Sequence, residues 1–211
     1  MIAETEAGAR DYYEAYWRAE APGPLADPFA DVRLRLLQEE LARIDAQRIL
    51  DAGCGTGALV GRLVREGYEA RGIDVAESAL ARAKPGLALE RHSVERLPWP
   101  VEPESQDVVV SFEVIEHLLH PRRLLEGARA ALRTGGHVAL STPYHGLVKN
   151  LALALTGFER HFHVEGEHVR FFTDRALTAL LAETGFTVER LRHYGRVAPL
   201  WAGTFVWARK R

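Results

Sequence analysis

The sequence predicts an α/β fold built on a doubly wound, mostly parallel sheet with helices on both faces. Three observations carry this expectation. Ile49 and Leu50 close a short apolar run, which turns through Gly53, Gly55 and Gly57 into helical spacing of Leu59, Leu63 and Val64. Beyond that turn, strand-like and helix-like segments alternate, the signature of a parallel sheet covered by its crossovers. Asp107-Val-Val-Val-Ser111 is apolar enough to be buried on both faces, as a central parallel strand is.

In chain order, residues 11–20 read as a helix carrying Tyr12, Tyr13, Tyr16 and Trp17, broken by Ala21-Pro-Gly-Pro24. Tyr13, Tyr16 and Trp17 share one face of it, either as a flap over a substrate or as a docking face. Residues 28–44 resume helical spacing through Val32, Leu36, Leu37, Leu41 and Ile44. Strands follow at 48–52 and 68–74, a helix at 78–84 ending at Pro85-Gly86, then strands at 87–92 and 107–111. Pro121 to Arg133 is a helix stopped by Thr134-Gly-Gly136, and 137–141 is the fifth strand. A helix over 173–184, with Thr173 or Asp174 as N-cap, ends at Gly185. Strands at 186–191 and 204–209 complete seven. Residues 1–45 form an N-terminal helical segment or lid. Residues 46–211 form the ligand-binding domain, with 143–172 as an inserted lid, so the chain is a single domain overall.

The chain has 211 residues, 47% of them hydrophobic, and a net charge of −2. That size supports a substantial core. The charge weighs against a nucleic-acid partner, which needs a basic face. No apolar run reaches the ~18 residues of a membrane span. Cys54, the one cysteine, cannot pair internally, and the first residues lack a signal-peptide pattern, so the cytoplasm is the expected location. Oligomeric state is not readable from the sequence.

A strand that passes through glycines into a helix cradles a ligand. Glycine permits close backbone approach, and the helix start offers free N–H groups and a positive dipole end. Asp74 ends the second strand, 17 residues beyond Gly57, where a carboxylate accepts hydrogen bonds from ribose hydroxyls. A dinucleotide enzyme would space its glycines G-x-G-x-x-G. This chain has Asp51-Ala-Gly-Cys-Gly-Thr-Gly57 instead, which resembles the first motif of class I S-adenosylmethionine-dependent methyltransferases.

Further segments carry the same resemblance. Arg91-His-Ser-Val-Glu-Arg-Leu-Pro-Trp99 resembles the third motif, with Ser93 where the family's usual aspartate meets the adenine. Ser111-Phe-Glu-Val-Ile-Glu-His-Leu118 resembles the segment after the fourth strand, and 133–143 the glycine turn and fifth strand. Ser141-Thr-Pro-Tyr144, Lys149-Asn150, Gly166 to Thr173 and Gly185-Phe186 are similar to the ubiquinone/quinol O-methyltransferase-like branch. The resemblance implies a seven-stranded Rossmann-like sheet with an antiparallel final strand. It also implies S-adenosylmethionine as cofactor and S-adenosylhomocysteine as product. The cofactor-binding residues it implies are Asp51, Gly53, Cys54, Gly55, Gly57, Asp74, Val75, Ser93, Val94, Glu95, Phe112 and Glu113.

The implied reaction is methyl transfer to a small molecule, a phenol- or quinol-like oxygen in that branch. The acceptor's proton then needs a base, and histidine suits neutral pH. His117 and His145 are the candidates, with His161, His163 and His168 behind them. Glu113, Glu116 and His117 are spaced i, i+3, i+4 and would share a helix face, where a later histidine could complete a metal site. Such an E-x-x-E-H pattern binds metal in ubiquinone O-methyltransferase-like and small-RNA 2′-O-methyltransferase proteins. The alternative is packing by His117 and hydrogen bonding by Glu116, and no metal ligand is assigned here. The rivals in function are a cofactor-binding protein without catalysis, a metal-assisted RNA 2′-O-methyltransferase and a dinucleotide oxidoreductase.

Overall fold

In the computed structural model, the described residues are 11–18, 27–157 and 169–211. The Ala21–Pro24 breaker and His161, His163 and His168 lie outside them. Helix α1 covers 11–18. It is followed by α2 (Ala30–Leu41), β1 (Arg48–Ala52), α3 (Ala58–Arg65), β2 (Glu69–Asp74), the short α4 (Glu77–Leu80) and β3 (Ala88–Arg91). Then come β4 (Gln106–Phe112), a 3-10 turn (Ile115–His117), α5 (Pro121–Ala131), β5 (Leu132–Pro143) and α6 (Leu147–Thr156). Helix α7 (Asp174–Glu183), β6 (Phe186–Tyr194) and β7 (Gly203–Lys210) close the chain.

The sheet order is β3-β2-β1-β4-β5-β7-β6. Strands β1 to β5 pair in parallel, and β7 is antiparallel to both β5 and β6. The antiparallel final strand expected from the resemblance is therefore present. The order reverses between β1 and β4, so the carboxyl ends of these two strands flank a crevice.

Alternation along each strand builds two cores. Leu50, Val109, Leu140 and Val206 face a layer with Leu124 and Leu125 of α5 and Leu177 and Leu181 of α7. Ile49, Val108, Val110, Phe205 and Trp207 face the opposite layer, with Leu36, Leu37 and Leu41 of α2 and Val60 and Leu63 of α3. This is why β4 reads as a continuous apolar run: both its faces are covered. Asp107 is the exception and pins the strand starts. Its carboxylate accepts N–H groups of Gln47 and Arg48 at 2.9 and 2.8 Å and the Arg133 guanidinium at 2.6 Å.

Three expectations need correction. Thr134-Gly-Gly136 does not separate α5 from the fifth strand. Leu132 already pairs with Gln106, and 133–136 bulge opposite Asp107 before His137 rejoins Val108. The helix expected over 78–84 is one turn, Glu77–Leu80, because bonds such as Arg82 N–H to Ala79 O tighten its end. The stretch 143–172 contains α6, a helix that the sequence reading did not assign. Thr173 caps α7 as expected, its hydroxyl oxygen accepting the Ala176 N–H at 3.2 Å.

Candidate active site

A cavity of about 240 Å³ opens at the carboxyl ends of β1, β2 and β4. Of the residues singled out by sequence, Gly53, Gly55, Asp74, Val75, Ser93, Val94, Glu95, Glu113 and His117 line it. Tyr13, Tyr16 and Trp17 of α1 form its opposite wall. Helix α1 is docked there by the buried Glu14, whose carboxylate accepts the N–H groups of Glu77 and Ser78 at 2.6 and 3.2 Å. Nothing in the sequence marked Glu14 as more than a solvated helix residue.

The glycine turn has three positive-φ residues with different tasks. At Gly55 (φ +51°), an added Cβ would enter the cavity and meet only the Trp17 ring, at 3.5 Å. At Gly53 it would lie 2.4 Å from Val114, so this glycine admits the neighbouring loop. Gly57 starts α3 and faces Leu87 and Leu89, not the cavity.

Asp74 clasps the turn. Its Oδ2 accepts the Gly55 N–H at 2.8 Å and its Oδ1 the Ala76 N–H at 2.9 Å. Burial raises its pKa and these amides hold it back. Each carboxylate oxygen keeps lone-pair capacity for a further donor on the cavity side.

Besides Gly57, four residues expected at the ligand do not line this cavity. Asp51 is buried beneath the turn, off the cavity wall, where burial and then the charge of Asp74 push its carboxyl up to about 7. Cys54 points into the sheet, its sulfur against Gly72. Phe112 turns to the opposite layer, its ring 6.0 Å from that of Phe205 and beneath the Arg33 guanidinium. His145 is buried rather than exposed and does not line the cavity; its Nδ1 lies 3.3 Å from Asn150 Oδ1 and its ring meets Phe171 edge-on.

Glu113 is held by a clasp that the sequence reading missed. Its backbone is left-handed, φ +54°. Its Oε1 accepts the Ser141 hydroxyl at 2.7 Å and the Tyr194 hydroxyl at 2.9 Å, with Arg33 Nη1 at 3.7 Å. Arg33 is buried and also paired with Asp27. Burial and the Glu113 charge push the Tyr194 phenol up, so it stays a donor. These groups come from four separate elements, and no spacing in the sequence links them.

Because Glu113 is left-handed and only 115–117 form a helical turn, Glu113, Glu116 and His117 do not share a helix face, which corrects that expectation. Glu116 is 1% exposed, and neither of its carboxylate oxygens has a hydrogen-bond partner. Burial, then the charge of Glu113, raises its pKa well above the ordinary value. His117 reaches the cavity, with Nε2 3.8 Å from Glu116 Oε1 and its ring edge-on to Tyr13. Among the described residues, no three His, Cys, Asp or Glu side chains are grouped to hold a metal ion.

The wall formed by Ser93, Val94 and Glu95 hangs on Trp99, which is buried and donates its indole N–H to Val94 O at 3.1 Å. The ring packs on Gly127 of α5, where a Cβ would lie 2.3 Å from it. Leu97-Pro-Trp99 is thus a support for the site, through its tryptophan. Ser93 Oγ accepts the Glu95 N–H at 3.2 Å, leaving its own proton free to donate.

Comparison with known proteins bears on the family and the fold. A family model described as "Methyltransferase domain" matches residues 18–191. The chain is similar to a ubiquinone biosynthesis O-methyltransferase of Acinetobacter baumannii, 31% identical over 120 residues, covering 53% of this chain and 50% of the relative. The chain thus spans about half the length of that relative. A protein of the same description from Vibrio cholerae is 27% identical over 166 residues, covering 75% and 67%. The fold is similar to that of a SAM-dependent methyltransferase from Archaeoglobus fulgidus, with TM-score 0.68 and 16% identity, covering 85% of this chain and 93% of that one.

Proposed function

The chain belongs to the methyltransferase-domain family, and on that premise we propose that it transfers a methyl group from S-adenosylmethionine to an oxygen of a small phenol- or quinol-like acceptor. The observation that carries this reading is that His117 and Glu113 stand on the wall of the same cavity as Gly55 and Asp74. Similarity to the ubiquinone biosynthesis O-methyltransferases of Acinetobacter and Vibrio supports the oxygen acceptor.

The residues present fit the cofactor. Gly55 leaves a space that a side chain would fill, Asp74 keeps acceptor capacity for ribose hydroxyls, and Ser93 and Val94 offer an adenine wall. When bound, the cofactor would supply an electrophilic methyl group carried on a sulfonium. Glu113, already held by Ser141 and Tyr194 with Arg33 nearby, would meet the methionyl end with little reorganisation. His117 accepts the acceptor's hydroxyl proton at a ring nitrogen as the oxygen attacks. Tyr13, Tyr16 and Trp17 of α1 cover the site and exclude water. His145, off the cavity wall, supports the loop that carries it.

The test is S-adenosylhomocysteine release with a panel of phenols, catechols and amines. Catechol or hydroquinone turnover should fall about 10²–10⁴-fold in His117→Ala, the usual contribution of a general base. Turnover of amines but not phenols would reject the oxygen assignment. Cofactor binding with no turnover on any acceptor would favour a binding protein.

A further inference from the structure

The cavity has a direction, set by the strand order β3-β2-β1-β4. Glu113 follows β4, Gly55 follows β1, Asp74 ends β2, and Ser93 and Glu95 follow β3; all five line the cavity. A ligand whose methionyl end meets Glu113 and whose ribose meets Asp74 therefore carries its base to the β3 end.

The walls of that end suit a flat ring. Val75, Val94 and Leu118 supply apolar surface. The loop after β3 is stitched in place: the His92 N–H donates to Asp74 O at 2.8 Å, and the Arg96 N–H donates to Ser93 O at 3.0 Å. Two side chains, Ser93 and Glu95, give this end its polar edge. Each already makes one hydrogen bond, which fixes what it has left to offer. Ser93 Oγ accepts the Glu95 N–H at 3.2 Å, so the hydroxyl proton remains to be donated. Glu95 Oε1 accepts the His120 N–H, so Oε2 remains as an acceptor. The peptide N–H before α5 thus holds the carboxylate before any ligand arrives.

A donor and an acceptor side by side select one edge of a purine. A 6-aminopurine presents an N6–H donor beside the N1 acceptor. A 6-oxopurine presents the reverse, an O6 acceptor beside an N1–H donor. Only the first is complementary to a hydroxyl proton and a carboxylate oxygen. The second sets acceptor against acceptor at Glu95, which costs more than a bond simply not made.

We propose that Ser93 and Glu95 are the base-reading pair of this chain: Glu95 accepts from the 6-amino group and Ser93 donates to N1. This rests on the cofactor placement proposed above, and it adds which edge of the base is read and by which atoms.

Calorimetric competition between S-adenosylhomocysteine and S-inosylhomocysteine, its 6-oxo analogue, tests it. The wild type should prefer the amino form by about 25-fold or more, the net worth of two hydrogen bonds. Glu95→Gln keeps an oxygen for the His120 N–H and turns an amide NH2 to the base, so the preference should fall to parity or invert. Ser93→Ala should lower the preference by about fivefold. Both variants should keep a native circular dichroism spectrum. A purely structural role for either residue would weaken both ligands equally and leave their ratio unchanged. Equal binding of the two ligands by the wild type, or an undiminished ratio in either variant, overturns the proposal and leaves the cofactor placement standing. Should Glu95→Gln fold poorly, the ratio in Ser93→Ala decides alone. A wild type that binds neither ligand removes the placement and the proposal with it.

Discussion

Replacing Asp51 with asparagine should stabilise the cofactor-free protein at neutral to alkaline pH and not in acid. Asp51 sits under the glycine turn, out of water, close enough to Asp74 to feel its charge. Its carboxyl is raised from 3.8 to about 7 in the folded chain. Between those values the folded protein holds a proton that the unfolded chain has released. Stability is therefore greatest at acid pH and is lost as pH rises through the folded value. The gap from 3.8 to about 7 corresponds to about 4 kcal/mol of penalty once the group is forced to ionise. Asparagine fills the same space without charge, but it trades acceptor capacity for donors, at a cost of about 1 kcal/mol. The net gain at pH 8.5 is then about 3 kcal/mol, or about 6–12 °C in Tm for a chain of this size. Thermal melts of both proteins from pH 4 to 9 measure it, and the difference should change sign within that range. A difference that does not vary with pH, or a less stable variant at pH 8.5, would mean that ionisation of Asp51 does not cost the fold stability. On the proposed placement of the cofactor, its affinity should move the other way, because the variant removes a buried anion beneath the turn that would hold a cationic donor. Asp51 would then be a residue whose charge serves binding at the expense of stability.

Other substitutions probe the walls. Asp74→Ala should weaken cofactor binding by about 1.5–3 kcal/mol in calorimetry, the range for hydrogen bonds to a charged group. It should also lower Tm, since the carboxylate holds the Gly55 and Ala76 amides. Tyr194→Phe keeps the ring against Phe29 but removes one donor from Glu113, so cofactor affinity should fall about fivefold. In a Glu113→Gln background that loss should shrink; an undiminished loss would mean that the phenol acts elsewhere. Gly127→Ala should destabilise by about 1–3 kcal/mol through overpacking against Trp99. Because Trp99 carries Val94, its fluorescence should shift and adenosine binding should weaken; a variant unchanged in both would dismiss this support.

The sheet was legible because its strands obey simple local rules. Val108, Val109 and Val110 announce a strand buried on both faces, and Gly53 to Gly57 announce a turn that no bulkier residue could make. The nine predicted wall residues sit on the loops after β1, β2, β3 and β4, where chain order and ligand geometry coincide. The misses follow from direction rather than position. Cys54 and Phe112 occupy the right segments but face the sheet and the opposite layer, since neighbouring side chains diverge. The Glu113 to His117 reading assumed a helix, and one left-handed residue voids the spacing. Glu14, Arg33 and Tyr194 reach the site from elements far apart in sequence, and periodicity carries no information about such convergence.

Calorimetric titration of S-adenosylmethionine into the wild type and Gly55→Val tests whether the cavity over Gly55 is the cofactor site. A valine there projects into the cavity toward Trp17. The wild type should bind one equivalent of S-adenosylmethionine or S-adenosylhomocysteine and ignore NAD. The variant should lose that binding while its circular dichroism stays native. Wild-type affinity in the variant would place the cofactor elsewhere.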